Sequence, residues 1–394
     1  MSRVGKRRIL QVVSRMDRAG IETWLMHVLR GLDRERYQMD FLVHGEEPAD
    51  YDNEILSLGS RILRCGPIQN LWSYGHSIRQ LLKTSSPYDV LHVHRDYFSG
   101  FPLRAGKQAG IPVRIAHSHN DLRKSFSRLR WPVKVVAAAS RALVPRYATH
   151  GLAASEVAAE TLYGANWRSD SRWQILPCGV DISKSLPATR DDRLRQEFGI
   201  PDGAFVVGHV GRFSEQKNHQ KILDVAEALA RQQANFHVLL VGQGPLQTAV
   251  EGEIIRRGLS QQVSIAGPRN DVPHLFASLF DVLLFPSLFE GLGLVIVESL
   301  AAGCPAVISD VVPHEADIVK SLVKRIPLAS SAEVWARAVI EAATTPRSHT
   351  ERMAAHRQVS ESSYNVSTSI ERLTGLYDRA VGEHAGPAST PIAA

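Results

Sequence analysis

The sequence predicts an α/β protein of two doubly wound domains facing each other across a cleft, and three observations carry that expectation. The chain has 394 residues, room for two domains of roughly 150–200 residues each. Short apolar runs alternate with longer amphipathic stretches throughout, as strands alternate with helices around parallel sheets. A polar stretch with a proline, Asp181–Arg190, interrupts that alternation near the middle, as a linker does. With 44% hydrophobic and 22% charged residues, long disorder, collagen and coiled coil are excluded for the bulk of the chain.

In chain order, the strand-like runs of the first half are Arg8–Val13, Met39–Val43, Asp89–His94 and Val113–Ala116. The second half offers Phe205–Val210, Phe236–Val241, Val263–Ala266, Asp281–Phe285 and Ala306–Ser309, with helices over Asn218–Gln233 and Leu246–Arg257. The expected division is a first doubly wound domain over 1–182 and a second over 183–365. A helix over 366–382 is expected to pack back towards the first domain, and 383–394, small and Pro-rich, reads as a disordered tail.

Charge is unevenly spread. Residues 1–180 hold 26 Lys/Arg against 16 Asp/Glu, a net of +10, while the rest of the chain carries −4. A basic half suits nucleic acid, an anionic membrane or a phosphorylated substrate. Cys65, Cys178 and Cys304 are far apart and form no CxxC pair, which argues against a disulfide scaffold or zinc ribbon and for a reducing compartment. No signal peptide and no run of roughly 18–20 apolar residues is found, so a cytoplasmic protein is expected, at most peripheral on the inner face of the plasma membrane.

Two segments carry chemistry. At Val210-Gly211-Arg212-Phe213-Ser214-Glu215-Gln216-Lys217 a buried strand runs through a glycine into a loop that starts a helix. Glycine admits a ligand to the backbone, the helix start offers free N–H groups, and Arg212 with Lys217 suits a diphosphate. Farther on, Glu290-Gly291-Leu292-Gly293-Leu294 leads to Glu298, two carboxylates eight residues apart. Eight residues of helix advance roughly 12 Å and return to nearly the same face. Glu290 is expected in the loop after the strand, and Glu298 inside an apolar helix, where a ribose diol is one good partner for its carboxylate.

These two segments together resemble retaining glycosyltransferases of family 4, which have the GT-B fold of two Rossmann-like domains. Further stretches agree: Val241–Pro245, the turn Ala266–Val272, Gly303–Pro305 with Ser309-Asp310, the loop Met16–Thr23 and Arg114–Asn120. The resemblance spans residues 8–380 and implies that the N-terminal domain over 1–182 binds the acceptor and the C-terminal domain over 183–365 the nucleotide-sugar donor. It implies that Arg212 and Lys217 neutralise the donor diphosphate without a metal, that Glu298 holds the ribose, and that Glu290 with the Gly291–Leu294 amides meets the transferred sugar. It also places Gly20 under the pyrophosphate, Arg269 in the base-binding turn and His117 against the sugar. The donor is expected to be a UDP- or GDP-sugar and the acceptor a glycan or polyprenyl-diphosphate-linked molecule of a bacterial exopolysaccharide or capsule, with no cofactor. Cys178 stands where the family usually has Asn, and Ala19-Gly20 where many members have Gly-Gly.

Alternatives are an idle nucleotide-sugar-binding protein of the same fold, or a metal-dependent hydrolase using His92-Val93-His94-Arg95-Asp96. The latter matches the start of HxHxDH but has Tyr97 at the last His. A nicotinamide dehydrogenase is disfavoured because no GxGxxG follows the first strand. The basic segment Arg123, Lys124, Arg128, Arg130 and Trp131, with its aromatic and aliphatic neighbours, is a candidate membrane or acceptor surface. No recognised nucleic-acid-binding module accompanies it.

Overall fold

The structure is a computed structural model that describes residues 5–66, 71–85 and 87–385. The chain divides into two compact units, Met1–Gly179 with Val366–Ala394, and Val180–Asn365. Among the described residues the first holds seven strands: β1 (Arg7–Val12), β2 (Tyr37–His44), β3 (Ile62–Cys65), β4 (Val90–Val93), β5 (Val113–Ser118), β6 (His150–Ala153) and β7 (Trp173–Ile175). The second holds six: β8 (Phe205–Val210), β9 (Phe236–Val241), β10 (Val263–Gly267), β11 (Val282–Phe285), β12 (Ala306–Ser309) and β13 (Val323–Ile326).

Every strand pair is parallel. The spatial orders are β3-β2-β1-β4-β5-β6-β7 and β10-β9-β8-β11-β12-β13. In each sheet the direction of winding reverses beside the unit's first strand, between β1 and β4 and between β8 and β11. Helices cover both faces of such sheets, so central strands are buried on both sides and read as continuous apolar runs. All six residues of β9, Phe-His-Val-Leu-Leu-Val, are buried. The covering helices bury one stripe: His219–Arg231 turns Ile222, Leu223, Val225, Ala226 and Leu229 inward against β8 and β9 core residues.

The last helix, Val366–Ala385, belongs to the first unit. Trp24 Nε1 donates to Ser369 Oγ at 3.1 Å, Ser369 Oγ donates to the Pro177 carbonyl, and Asp378 takes Arg7, Arg36 and the Tyr37 hydroxyl. The helix runs to Ala385, three residues into the segment expected as a tail; 386–394 lie outside the described residues. Sequence alternation did not mark β3, β6 or β13, each of four residues. Two of these lie at sheet edges, where one-sided burial leaves a weak apolar signal. No described helix is long and apolar enough to cross a membrane.

Candidate functional site

In the second unit the winding reversal lies between β8 and β11, and ligands of doubly wound sheets bind outside the strand ends at such a point. The loops leaving these two strands are tied together. Leu288 N–H donates to the Gln216 carbonyl at 2.8 Å, Gln216 Nε2 to the Phe289 carbonyl at 3.0 Å, and Asn218 Nδ2 to the Pro286 carbonyl at 3.1 Å. Asn218 turns the chain into helix His219–Arg231 with φ 55°, a left-handed conformation that Asn tolerates better than most residues.

The result brings together residues far apart in sequence. Lys217 Nζ donates to Glu290 Oε1 at 2.7 Å and lies 4.4 Å from the centroid of the Phe285 ring. Both side chains are mostly covered, 14% and 7% exposed. Half-buried Gly211 lies beneath the Lys217 stem. A Cβ at Gly242, in the turn after β9, would fall 2.2 Å from the Gly211 carbonyl oxygen, so only glycine lets the two loops nest. Exposed Arg212 makes no side-chain hydrogen bond or ion pair with the described residues, and its guanidinium is available to an anion.

Glu290 sits in the loop and Glu298 in the helix Leu294–Ala301, but the helical arithmetic between them is corrected. Residues 290–293 are loop, and Gly293 enters the helix in a left-handed conformation, φ 87°, that L side chains rarely adopt. That helix has no side-chain N-cap, which leaves its first N–H groups and the positive end of its dipole beside Glu290. Gly291, Leu292 and Gly293 are buried and Leu294 half-buried. The Glu298 carboxylate accepts no hydrogen bond from the described residues, and burial pushes its pKa up to about 7.

Arg269 is differently employed. Asp271 holds it bidentately, at 2.8 and 2.6 Å, and Glu197 takes a third donor. Its guanidinium also lies over the Phe198 ring, and the hydrogen bonds it donates to Asp271 raise its pKa. The side chain braces the turn after β10, so a ligand there would meet backbone before this cation.

In the first unit, Gly20 begins the helix Gly20–Gly31 that follows β1, again beside a winding reversal, and Ala19 supplies no side-chain cap. Expected against the sugar, His117 is fully buried, with Nδ1 bonded to His92 Nε2 and Nε2 to the Leu176 carbonyl, both at 3.2 Å. Successive strand residues point to opposite faces, so His92 and His94 on β4 and its end, with His117 and His119 on β5 and its end, converge on one side. Working back from Leu176, whose carbonyl can only accept, assigns every proton. His117 donates to Leu176, His92 to His117, Tyr377 to His92 at 2.7 Å, Gln11 to Tyr377 at 3.1 Å, and His94 to Gln11 at 2.8 Å. His119 in turn donates to His94 at 2.8 Å and Cys178 to His119 at 3.5 Å.

All four imidazoles are therefore neutral. Desolvation pulls His117 down to about 3 and the other three well below the ordinary value. Burial also raises the Cys178 thiol, so it serves as a donor and not as a thiolate. Nitrogens of His92, His94 and His117 lie within 4.8 Å of one another, as the metal alternative requires. Their ring nitrogens are nevertheless all engaged by protein, and Asp96 accepts from the His119 N–H at 3.1 Å.

Of the basic segment, Arg123 is exposed and held by Asp121 at 2.9 Å, Arg130 is exposed, and Trp131 is 76% exposed. The side chains of Lys124 and Arg128 lie outside the described residues. Sequence reasoning missed Gln216 as a loop tie and the chain Gln11–Tyr377. A left-handed residue before a helix is legible from Asn218, but no local signal singles out Gln216 or Tyr377.

Comparison with known proteins places this geometry. Residues 190–358 match the family model of glycosyl transferases group 1, and residues 18–184 that of glycosyltransferase family 4. EpsF of Bacillus subtilis (strain 168), assigned as a glycosyltransferase, is 33% identical over 376 residues, 95% of this chain and 97% of that one. An Escherichia coli UDP-Gal:alpha-D-GlcNAc-diphosphoundecaprenol alpha-1,3-galactosyltransferase is 26% identical over 60% of this chain and 61% of its own. Among solved structures, Anabaena HepE in complex with UDP and glucose superposes with a TM-score of 0.76 at 20% identity, covering 95% of this chain and all of that one.

Proposed function

The chain belongs to the glycosyltransferases of family 4, and from that premise we propose the reaction it performs. It moves a sugar from a nucleoside-diphosphate sugar, of the UDP or GDP type, to a glycan or polyprenyl-diphosphate-linked acceptor of a bacterial surface polysaccharide, retaining the anomeric configuration. The observation that carries this reading is the Lys217–Glu290 pair at 2.7 Å, set between unpaired Arg212 and an uncapped helix N-terminus.

Each group has a task there. Arg212 and Lys217 draw the donor diphosphate and stabilise the charge that grows on it as the C1–O bond breaks, so the reaction runs without a metal. The Glu298 carboxylate accepts the ribose hydroxyls. Glu290 and the amides of Gly291–Leu294 hold the sugar. The acceptor hydroxyl attacks C1 on the face the phosphate leaves, and its proton passes to the departing phosphate oxygen. Gly20 admits the diphosphate to the helix start of the first unit.

Thermal-shift measurements with UDP-, GDP- and ADP-sugars test the donor, since a true donor stabilises by mass action. Arg212→Ala is expected to weaken nucleotide-diphosphate binding about tenfold or more without changing the melting temperature of the free protein. Full activity in a chelator is expected; loss of activity there would overturn the metal-free reading. Binding of a nucleotide sugar with no turnover on any acceptor would favour the idle alternative.

Trp131, Val133 and Val135 are exposed at the start of helix Trp131–Tyr147, next to Arg130. This supports contact with an anionic membrane surface. Charge reversal at Arg123 and Arg130 with Trp131→Ala is expected to abolish binding to anionic vesicles, and unchanged binding would refute it.

A further inference from the structure

The second unit carries a cavity of about 250 Å³ that none of the donor chemistry uses. It lies where β11 and β12 begin, at Asp281 and Pro305, and so at the end of the sheet opposite the loops that follow β8 and β11. The carboxyl ends of three helices meet there: Val272–Ser278, Leu294–Ala301 and Ala332–Thr344. Their last carbonyls are the negative ends of helix dipoles, which cations answer. The cavity supplies Arg190, Arg347 and Arg352, against one carboxylate among the described residues, Asp281.

The three guanidiniums are not equally occupied. Arg352 is taken up by backbone: Nε and Nη2 donate to the Ala302 carbonyl at 3.3 and 3.1 Å, Nη2 to the Ala277 carbonyl at 2.6 Å and Nη1 to the Ala188 carbonyl at 3.1 Å. Arg347 engages only Nη1, on the Ala342 and Thr345 carbonyls at 2.9 and 3.0 Å. Its Nε–Nη2 edge has no partner among the described residues, and that edge is the fork able to meet two oxygens of a single anion. Exposed Arg190 makes one long bond, from Nη2 to the Ala204 carbonyl at 3.4 Å. None of the three forms a salt bridge with the described residues. Nearby Glu351 is held at Ser348, whose N–H and hydroxyl it accepts at 2.8 Å each. Asp281 Oδ2 accepts the Val206 N–H at 2.7 Å, and burial raises its pKa against the opposing pull of Arg190, Arg195 and Arg352. Burial pulls Arg347 below its ordinary pKa, with Arg352 adding to the shift and Cys304 and Glu351 opposing it. A half-buried cation in that position is costly unless an anion completes it.

We propose that this cavity is a second anion site, separate from the donor loops, and that it takes a small phosphate monoester carrying hydroxyl groups. Its phosphate meets the Arg347 fork and Arg190, and a hydroxyl donates to Asp281 Oδ1, which has no partner among the described residues. A dianion answers both free cationic edges, whereas a carboxylate answers one. At about 30 Å³ per water the cavity equals roughly eight waters, more than a phosphate alone fills. It is also smaller than the roughly 300 Å³ at which sites for drug-sized ligands begin.

The test is isothermal titration of the full-length protein with inorganic phosphate, glycerol 3-phosphate and glycerol at fixed ionic strength, in wild type and in Arg212→Ala, which weakens the donor loop. Glycerol 3-phosphate is expected to bind saturably to both proteins, about threefold more tightly than inorganic phosphate, and glycerol not at all. In the Arg212→Ala background, Arg347→Gln is expected to weaken glycerol 3-phosphate about tenfold and Arg190→Gln about threefold. Arg347→Lys keeps the charge without the fork and should fall between Arg and Gln. Arg190→Gln alters an exposed side chain with one long bond, so it decides the matter should Arg347→Gln fail to fold. Phosphate binding that Arg212→Ala abolishes would put the anion in the donor loops and overturn the second site, as would the absence of saturable binding. Affinity unchanged by Arg190→Gln and Arg347→Gln would overturn the arginine assignment. Equal affinity for the two phosphates would overturn the hydroxyl contact at Asp281.

Discussion

The two sheets are wound alike, yet the ends of their first strands do opposite things with charge. In the second unit the loops after β8 and β11 gather charged side chains, Arg212 unpaired and Lys217 against Glu290, and the helix that follows adds Glu298, whose carboxylate accepts nothing from the described residues. In the first unit the four histidines at the ends of β4 and β5 are buried and neutral, joined in one directional hydrogen-bond chain from Cys178 to Leu176. A shared topology supplies the position of a site. What the site can do depends on whether its polar groups face a ligand or one another.

Acid should expose the difference most strongly. Each of the four histidines has a folded pKa below its unfolded value near 6.5, so their stabilisation is complete above that pH and is lost as pH falls below it, down to about 3 for His117. The loss at pH 5 is about 2 kcal/mol per buried histidine, an upper figure for a neutral imidazole that never protonates in the folded state. The second unit has His209, His219 and His237 lowered by burial as well, and so weakens too, but these imidazoles are not joined to one another by hydrogen bonds. Melting curves between pH 7.5 and 5 should fall steeply; a flat profile would break the comparison.

The donor site comes next. Lys217→Ala and Glu290→Ala are each expected to lower the transfer rate by about 10²–10³, the usual cost of removing one preorganised group from a transition state. Each also strands its former partner in a mostly buried position, so melting should show a loss of about 3 kcal/mol. Wild-type rates in either variant would remove the Lys217–Glu290 pair from the chemistry.

A smaller effect follows in the first unit from Tyr377→Phe. Without the hydroxyl, Gln11 Nε2 loses its acceptor and His92 Nδ1 its donor, at a cost of about 1–3 kcal/mol in stability. Nucleotide-diphosphate binding should not change, because the hydroxyl lies within the buried chain and touches no donor group. The smallest effect concerns Glu298. With a pKa of about 7 it ionises as pH rises through neutrality, so donor affinity should improve by up to tenfold per unit between pH 6 and 7 and level off above. Glu298→Gln should bind the donor more weakly and lose that pH dependence.

Much of this protein could be read in the order of its residues. Strands buried on both faces, such as Phe205–Val210 and Phe236–Val241, declare themselves as unbroken apolar runs, and the alternation with amphipathic helices sets the class. Arg212, Lys217, Glu290 and Glu298 stand out because a diphosphate and a diol require those groups near glycines and a helix start. Short strands with less two-sided burial, such as β3 and β13, left no comparable run.

Tertiary structure decided the rest, since hydrogen bonds join residues that sequence keeps apart. Lys217 and Glu290 are 73 positions distant, and His92 and Tyr377 285, and nothing local announces either bond. Sequence placed Arg269 in a turn and His117 near a strand end, but only the fold shows Asp271 and Glu197 holding the one and His92 and the Leu176 carbonyl holding the other. Residue type determines which chemistry is possible at a position. Burial and partners, which only folding supplies, determine the protonation state and whether a ligand can reach it.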